Sequence, residues 1–337
     1  QKTSYKLMSL DLDGTLLSTI LLRAKKADCQ AVQDYMSAGG IPFINTGRSP
    51  WAIRKTVNRI NSVGPNKIKL ISCWNGAYLK DLNDDEIIEK TISHEHCKKI
   101  LDISKQYKGA HIWFHTTKSL QNETVYVHPK NLFLQIVYPL AKLENVNKLS
   151  DITSYKIDII SAYKPIVSKI YHELVKQNLD KLVTISHSSP RLIEITPYQI
   201  NKGYAVNYFA KKYNIAKNEI VTIGDSFNDL SAFQQSALAI GINPRNPNLL
   251  KHCDAIIKHK SKGVKEAIED FLIKNVDNAY KLIFTDLDGT LIDNKTKLFS
   301  KSTKIALQQC TNHLIPIAIA SGRSIHDGIK IVESMEL

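Results

Sequence analysis

The chain has 337 residues, of which 43% are hydrophobic, the ordinary content of packed globular proteins. No stretch reaches the ~18 consecutive apolar residues of a membrane-spanning helix, and the five cysteines include no CxxC pair, so the sequence predicts no membrane span, disulfide framework or zinc ribbon. The net charge of +13 attracts nucleic acid, acidic lipid or phosphorylated metabolites, and a solvated lysine-rich surface explains it equally well.

The first part of the chain alternates short apolar runs with a helical stretch. Residues 5–10 and 41–45 are apolar runs that end in an Asp-rich turn and in Thr-Gly-Arg, and residues 25–38 between them have helical spacing. The same strand pattern recurs at residues 67–73 and 219–223. Buried strands that alternate with helices predict an α/β fold with a doubly wound, Rossmann-like parallel sheet as its core.

The middle of the chain has a different pattern. The segments HIWFHT, ETVYVH, YKIDIIS and LVTISHS alternate polar and apolar residues, which is typical of an antiparallel sheet with one open face. Helical spacing appears at residues 95–106 and 166–177. We interpret this part as an inserted α+β lobe, and we expect RLIEITP at residues 191–197 to return the chain to the parallel sheet.

The hexapeptide DLDGTL occurs twice. Asp286 follows Asp11 by 275 positions (286 − 11), and Arg323 follows Arg48 by the same interval (323 − 48). Two motifs repeated in register predict the start of a second copy of one domain. The predicted domains are a core, an inserted cap, a linker and the N-terminal part of a second core, over residues 1–79 with 189–273, 80–188, 274–279 and 280–337 respectively.

Polar residues follow the predicted strands, at the edge where a parallel sheet binds ligands. They are Asp11, Asp13, Thr46, Gly47, Arg48, Lys202, Asp225, Asn228 and Asp229. A phosphomonoester dianion repels a carboxylate nucleophile, so attack by an aspartate needs a divalent cation and a fixed ammonium. Asp11 and Asp225 offer the hard oxygen ligands that suit Mg²⁺, with the Asp13 carbonyl as a third. Lys202 and the Thr46 hydroxyl would then hold the phosphoryl oxygens.

The order of DLDGT, TGR, KG and GDSFND resembles the haloacid dehalogenase superfamily. WNGAYL at residues 74–79 and the long insertion before Lys202 further resemble its Cof-type phosphatases, which carry a type IIB cap. The resemblance implies that Asp11 is the nucleophile, that Asp13 is the general acid/base and that Mg²⁺ is the cofactor.

The resemblance also assigns roles to the other motif residues. Asp11, Asp13 and Asp225 would be the magnesium ligands, and Asp229 would orient Lys202 from behind. The implied phosphate-binding residues are Thr46, Gly47, Arg48, Asn75, Lys202 and Asn228. For Arg48 a second interpretation stays open, because an arginine at a helix start also pairs with nearby carboxylates.

The second copy keeps Asp286, Asp288 and Ser321 but stops before any equivalent of Lys202 or Asp225. We expect such a half-site to bind metal weakly and to turn over poorly. One hypothesis is that the native protein is a tandem of two such domains and that this chain is a fragment, as its start without Met also suggests. The other is that the partial copy is a natural C-terminal element, which the mass of the endogenous protein would show.

Two further groups in the cap segment invite a functional interpretation. The rows His111, Trp113, His115 and Thr124, Tyr126, His128 predict either an aromatic platform for a sugar or nucleoside or the solvent face of a sheet. HEHC at residues 94–97 has metal-binding residue types, but it begins a predicted helix, which favours a structural or solvated role.

The sequence therefore predicts a phosphoric monoester hydrolase of the cytoplasm. It would be a Mg²⁺-dependent phosphatase that acts on small phosphorylated metabolites such as sugar phosphates through an aspartyl-phosphate. The alternatives are a phosphosugar mutase or phosphotransferase, and a nucleic-acid-binding protein that recognises terminal phosphates. We find no RNA-binding aromatic motif or helix-turn-helix signature, which argues against nucleic acid. The sequence does not specify the physiological substrate or the oligomeric state.

Overall fold

The fold is described by a computed structural model. The described residues are 3–17, 23–130, 141–244, 246–258, 262–273, 282–293, 299–312 and 315–333. The predicted linker at residues 274–279 lies outside them. Within these ranges, no helix has both the length and the apolar character needed to cross a bilayer.

Strands and helices alternate through most of the described chain. The strands are β1 (Leu7–Leu10), β2 (Ile41–Asn45), β3 (Leu70–Cys73), β4 (Tyr78–Asp81), β5 (Glu86–Glu89), β6 (His111–His115), β7 (Thr124–His128), β8 (Lys142–Asn145), β9 (Lys156–Ile160), β10 (Val183–Ser189), β11 (Leu192–Pro197), β12 (Ile220–Gly224), β13 (Leu238–Ile242), β14 (Ala255–Ile257), β15 (Ile283–Thr285) and β16 (Ile317–Ile319). The α-helices are α1 (Lys26–Ser37), α2 (Pro50–Ser62), α3 (His94–Lys105), α4 (Ser119–Asn122), α5 (Lys164–Lys176), α6 (Lys202–Lys212), α7 (Leu230–Phe233), α8 (Pro247–Leu250), α9 (Gly263–Phe271), α10 (Lys301–Asn312) and α11 (Ile325–Glu333).

The larger sheet has eight strands in the order β14-β13-β12-β1-β2-β3-β4-β5. The strands from β14 to β3 are parallel, and helices cover both faces, as the apolar strand sequences predict. Met8 and Leu10 pack on one face in a cluster with residues of α1, α2 and α9. Leu7 packs on the other face with Val206 and Phe209 of α6. The predicted doubly wound α/β core is confirmed.

The cap sheet has six strands in the order β10-β11-β9-β6-β7-β8, and all neighbours are antiparallel except β7 and β8. Helices α3 and α5 cover one face, where Ile100 and Ile170 pack with strand residues such as Phe114. The cap is joined to the core through a stack of the Trp74 and Tyr155 rings, whose centroids are 4.5 Å apart with an interplanar angle of 8°.

Two strand assignments differ from the sequence prediction. RLIEITP was expected to return the chain to the parallel sheet, but β11 pairs antiparallel with β9 and β10 inside the cap sheet. Conversely, β5 and the second half of β4 fall in the predicted cap, but both strands extend the core sheet as an antiparallel edge. The predicted boundaries near residues 80 and 188 therefore disagree with sheet membership, because alternation identifies a strand but not its partner.

The predicted aromatic platform is also wrong as a single surface. Phe114 is directly opposite Tyr126 in the sheet, whereas Trp113 is opposite Val127. Opposite residues share a face and neighbours alternate, so Trp113 and Tyr126 point to opposite sides. Tyr126 packs in the cluster under the helices, and Trp113 lies on the other face. Neither row is a solvent-exposed face, since Trp113 and Tyr126 are both buried.

The C-terminal part repeats the beginning of the core. Helix α10 lies 275 positions after α1, with the same length, and β15 pairs parallel with β16 as β1 pairs with β2. Gly14 and Gly289 are both left-handed, with φ values of 80° and 78°. This part contacts the core through Lys301, whose ammonium is 2.6 Å from a carboxylate oxygen of Asp254.

Candidate active site

Asp11 and Asp225 meet at the carboxyl ends of two adjacent strands. Leu10 is opposite Ile223 in the parallel pair β1–β12, and the Asp11 N–H donates to the Ile223 carbonyl at 3.0 Å. A Cβ on Gly14 would lie 2.1 Å from Oδ2 of Asp225. Only glycine leaves this space while also adopting the left-handed conformation. Gly14 of the DLDGT motif therefore allows Asp225 of the GDSFND motif to pack directly against it.

Lys202 joins the same group from the start of α6. The Asn201 side chain caps this helix by accepting from the Tyr204 N–H at 2.9 Å. The Lys202 ammonium donates to Oδ1 of Asp11 and to Oδ1 of Asp229, both at 2.6 Å, and its side chain is 1% exposed. The structure thus brings together carboxylates and an ammonium that are far apart in the sequence.

Asp229 is fully engaged by neighbouring donors. Its Oδ1 accepts from Lys202, and its Oδ2 accepts from the backbone N–H groups of Asp225 and Ser226 at 3.1 and 3.0 Å. Both oxygens of this buried carboxylate are therefore occupied. This arrangement suits the predicted role of orienting Lys202 better than direct contact with a metal ion.

The site concentrates negative charge in a buried place. Burial raises the pKa of Asp11 well above its usual value, and Lys202 acts in the opposite direction. Burial and the Asp229 carboxylate raise the pKa of Asp225 to about 7. Burial alone disfavours the Lys202 ammonium, but Asp11 and Asp229 outweigh it, so the pKa of Lys202 is raised. The single Lys202 ammonium does not neutralise the carboxylates of Asp11, Asp225 and Asp229. A further cation would therefore be stabilised at this site.

A divalent metal ion could supply the missing positive charge. Oxygens of Asp11, Asp225 and Asp229 lie within 4.8 Å of one another. Oδ1 of Asp225 is buried and has no hydrogen-bond partner, an arrangement that a metal ion would satisfy. All of these donors are carboxylate oxygens, the ligand type of Mg²⁺ and Ca²⁺. The residues present therefore fit a hard divalent cation.

Thr46, Gly47 and Arg48 form a loop that the turn after β3 holds in place. The N–H groups of Trp74 and Asn75 donate to the carbonyls of Arg48 and Thr46 at 3.0 and 2.9 Å. Trp74, Asn75 and Gly76 are three consecutive left-handed residues, with φ values of 49°, 55° and 99°. Such backbone is sparsely populated, and it persists here because its hydrogen bonds fix the loop.

Arg48 pairs with a nearby carboxylate, which was the second of its two interpretations. Its guanidinium makes a two-point ion pair with Asp13, through Nε at 2.7 Å and an Nη at 2.6 Å. The Asp13 side chain is 51% exposed, whereas Asp11 is buried. The second copy has the same pair, between Arg323 and Asp288. In this structure, Arg48 therefore binds a carboxylate in the place where the prediction put phosphate.

Two residues near the loop were missed by the sequence analysis. Glu194 on β11 and Lys156 on β9 lie against Gly47, where a Cβ would be 3.0 Å from Oε1 of Glu194 and 3.5 Å from Nζ of Lys156. A signal was present, because Lys156 in YKIDIIS and Glu194 in RLIEITP are charged residues that lie next to isoleucines in a strand sequence. Neither strand could be placed beside the loop before its sheet was known.

The HEHC segment is structural, as its position at a helix start favoured. His94 begins α3, and its Nδ1 accepts from the Ile152 N–H at 2.9 Å. Cys97 is buried in the apolar cluster under the cap sheet. Among the described residues, Asp11, Asp225 and Asp229 have metal-ligand geometry, and the HEHC segment does not belong to such a group.

The chain is similar to known proteins in sequence and in fold. A protein of Mycoplasma pneumoniae named "Putative phosphatase" is 28% identical over 254 residues, which cover 73% of this chain and 89% of that protein. The fold is similar to that of the HAD subclass IIB sugar phosphatase BT4131, with a TM-score of 0.66, 19% identity and coverage of 79% of this chain and 98% of that one. A haloacid dehalogenase-like hydrolase from Bacteroides thetaiotaomicron has a TM-score of 0.65, 21% identity and coverage of 79% and 99%.

The family model for haloacid dehalogenase-like hydrolases matches residues 8–268 and again 283–337, so it includes both the core with its cap and the C-terminal repeat. The predicted phosphatase class agrees with the names of the curated relatives. The motifs, the cap and the model match together show that the chain belongs to the haloacid dehalogenase-like hydrolase family.

Proposed function

We propose that the chain is a Mg²⁺-dependent phosphatase that hydrolyses small phosphorylated metabolites, sugar phosphates among them, through a phosphorylated Asp11. The observation that carries this proposal is the Lys202 ammonium, bound by Asp11 and Asp229 beside the unpartnered oxygen of Asp225. A nucleophile, a fixed cation and a vacant hard ligand atom are the groups that phosphoryl transfer to a carboxylate requires.

Asp11 and Asp225 would hold the Mg²⁺ through carboxylate oxygens, with the Asp13 backbone carbonyl as a third ligand. When bound, Mg²⁺ neutralises charge on the nucleophile and on the phosphoryl group. The Lys202 ammonium holds the remaining phosphoryl oxygens together with the Thr46 hydroxyl. Asp229 keeps the ammonium in place, so that no reorganisation is needed during the reaction.

The chemical steps use two aspartates. A carboxylate oxygen of Asp11 attacks phosphorus, the P–O bond to the alcohol breaks, and Asp13 gives its proton to the leaving alkoxide. Asp13 then takes a proton from a water molecule that attacks the same phosphorus. The P–O bond to Asp11 breaks, and inorganic phosphate leaves. The Arg48 pair must loosen for Asp13 to turn toward the leaving group, and Arg48 keeps its carboxylate close to the site until then.

Two further observations bear on the substrate class and the cellular location. A subclass IIB sugar phosphatase has a similar fold, which supports sugar phosphates as substrates. All five cysteines are free thiols, which is typical of the reducing cytoplasm. We therefore propose a cytoplasmic enzyme for small phosphorylated metabolites.

A panel of phosphorylated sugars, nucleotides and cofactors, assayed for phosphate release with Mg²⁺ and with EDTA, tests the proposal. Asp11→Asn should be inactive on each substrate that the wild type hydrolyses, and EDTA should abolish turnover. Analysis of the glucose and mannose monophosphate reactions for isomerised product distinguishes a mutase. Activity that survives in Asp11→Asn would show that another residue is the nucleophile.

A further inference from the structure

The cap contributes a charged cluster that reaches the predicted phosphate-binding loop. Glu194 and Lys156 stand on neighbouring strands of the cap sheet and are only 4% and 5% exposed. A Cβ on Gly47 would meet Oε1 of Glu194 at 3.0 Å, Oδ1 of Asn75 at 3.2 Å and Nζ of Lys156 at 3.5 Å. Because Gly47 has no side chain, a cap carboxylate packs directly on a core loop.

Glu194 is bound by three donors, two of which are amides of the core. Its Oε1 accepts from Nδ2 of Asn75 at 3.2 Å and from Nζ of Lys156 at 2.9 Å. Its Oε2 accepts from Nδ2 of Asn228 at 3.3 Å. Asn75 and Asn228 come from different core motifs, after β3 and after β12. A single cap side chain therefore connects two separate parts of the candidate site.

The same contacts fix which end of each amide faces the site. Oδ1 of Asn228 accepts from the Ser226 hydroxyl at 2.6 Å, so its Nδ2 must point toward Glu194. Nδ2 of Asn75 points to Glu194 as well, which leaves its buried Oδ1 without a partner beside Gly47. Without the carboxylate, the Asn75 amide would lose the contact that fixes its orientation, and the Asn228 amide would keep only its contact with Ser226.

The cap holds Glu194 rigidly enough to serve as an anchor. The Lys156 ammonium lies between Glu194 and Asp158, at 2.9 and 3.1 Å. Asp158 is bound in turn by His115 at 2.8 Å. Buried carboxylates with this many charged partners do not change rotamer without breaking the whole network.

We propose that Glu194 is a positioning residue, through which the cap orients Asn75 and Asn228 around the bound phosphate. This inference rests on the proposed phosphatase function. Its consequence is that the cap belongs to the phosphate site itself as well as covering it. Since the three donors already occupy the carboxylate, Glu194 has little capacity left to bind the leaving group, and its effect should be the same for different alcohols.

Glu194→Gln is the direct test, because it keeps the shape of the side chain and replaces one acceptor oxygen with an NH2 donor. We expect kcat/KM to fall roughly 10- to 100-fold, by the same factor for a sugar phosphate and for p-nitrophenyl phosphate. The affinity for inorganic phosphate with Mg²⁺, measured by calorimetry, should fall as well. Glu144→Gln is the control, since Glu144 lies in the same cap sheet and pairs with Lys148 away from the loop, and it should leave all three values unchanged.

A double-mutant cycle with Asn228→Ala separates positioning from a general loss of structure. If Glu194 acts through Asn228, the two losses should not add. Additive losses, a loss confined to the sugar phosphate, or wild-type values in Glu194→Gln would each overturn the proposal. Glu194→Asp, which retains the charge beside Lys156 but shortens the reach to both amides, replaces Glu194→Gln if melting shows that the latter does not fold.

The affinity for inorganic phosphate, measured by calorimetry, tests the role of Glu194 separately from the phosphatase activity. If the wild type hydrolysed no phosphomonoester, the proposed function would fail. Phosphate binding by wild type and Glu194→Gln would still decide the role of Glu194, since equal affinities would overturn it.

Discussion

The two aspartate turns of this chain have the same local structure and very different surroundings. Arg48 binds Asp13 through two hydrogen bonds of 2.7 and 2.6 Å, and Arg323 binds Asp288 through two of 2.7 and 2.5 Å. Each pair spans 35 positions of the sequence, across one strand–helix–strand unit. The repeat of this geometry shows that the turn and its ion pair are properties of the unit itself.

The two turns differ in their neighbouring strands, in their burial and in their charged partners from distant parts of the chain. In the core, β1 lies between β2 and β12, and Asp11 is 4% exposed. In the repeat, β15 pairs only with β16 among the described residues, and Asp286 is exposed. The ammonium that contacts Asp11 comes from a residue 191 positions away. The comparison teaches that the motif supplies the aspartates, whereas distant elements supply the burial and the ammonium that surround Asp11.

The largest expected difference is between the two first aspartates. Asp11→Asn should lower kcat by at least about 1,000-fold, because it removes the proposed nucleophile. Asp286→Asn, the same change in the repeat, should leave kcat unchanged. Steady-state phosphate release from both variants measures this. Comparable losses in the two would mean that the repeat takes part in the reaction.

Lys202 is the next test, since this residue lies far from the aspartate turn in the sequence but contacts Asp11. Lys202→Met should reduce kcat/KM about 100- to 1,000-fold, as expected when a fixed charge at the phosphoryl group is lost. Lys212→Met in the same helix is the matched control, because this lysine pairs with Asp81 and Asp84 away from the site. Equal activity of the two variants would exclude Lys202 from phosphate binding. Circular dichroism of both checks that α6 is intact.

Metal binding should depend on pH in a defined direction. The pKa of Asp225 is raised from 3.8 to about 7, so the metal-free folded protein holds a proton that the unfolded chain has lost. Its stability should therefore fall as pH rises between these values. Mg²⁺ competes with that proton, and its affinity should decrease about ten-fold per pH unit below 7. Thermal shift against Mg²⁺ concentration from pH 5 to pH 8 measures both, with Asp225→Asn as the variant that should respond least.

The smallest difference in activity should be between the alanine variants of Arg48 and Arg323. Arg48→Ala should reduce kcat about ten-fold, because Asp13 loses the contact that keeps it near the site, whereas the exposed pair adds little stability. Arg323→Ala should change neither kcat nor the melting temperature by a measurable amount. A lower KM for Arg48→Ala with unchanged kcat would contradict the positioning role.

Local patterns predicted the elements of the core well. Helix α1 was expected at residues 25–38 and spans Lys26–Ser37, and β2 has the predicted bounds Ile41–Asn45. The partners of single strands were harder to predict. Strand β11 has the alternation of an antiparallel strand, and its sequence does not state which sheet it joins. The role of Glu194 was missed for the same reason, since it depends on the sheet to which β11 belongs.

The sequence by itself determined the family, the α/β class and the residue types at the site, because motif order and the periods of helices and strands are local properties. Only the tertiary structure decided that Asp229 is occupied by donors on both oxygens, that Arg48 pairs with Asp13 and that a cap carboxylate reaches Asn75 and Asn228. Each of these facts depends on distances between residues far apart in the chain. Such distances are set by the packing of whole sheets and helices, which no single stretch of sequence encodes.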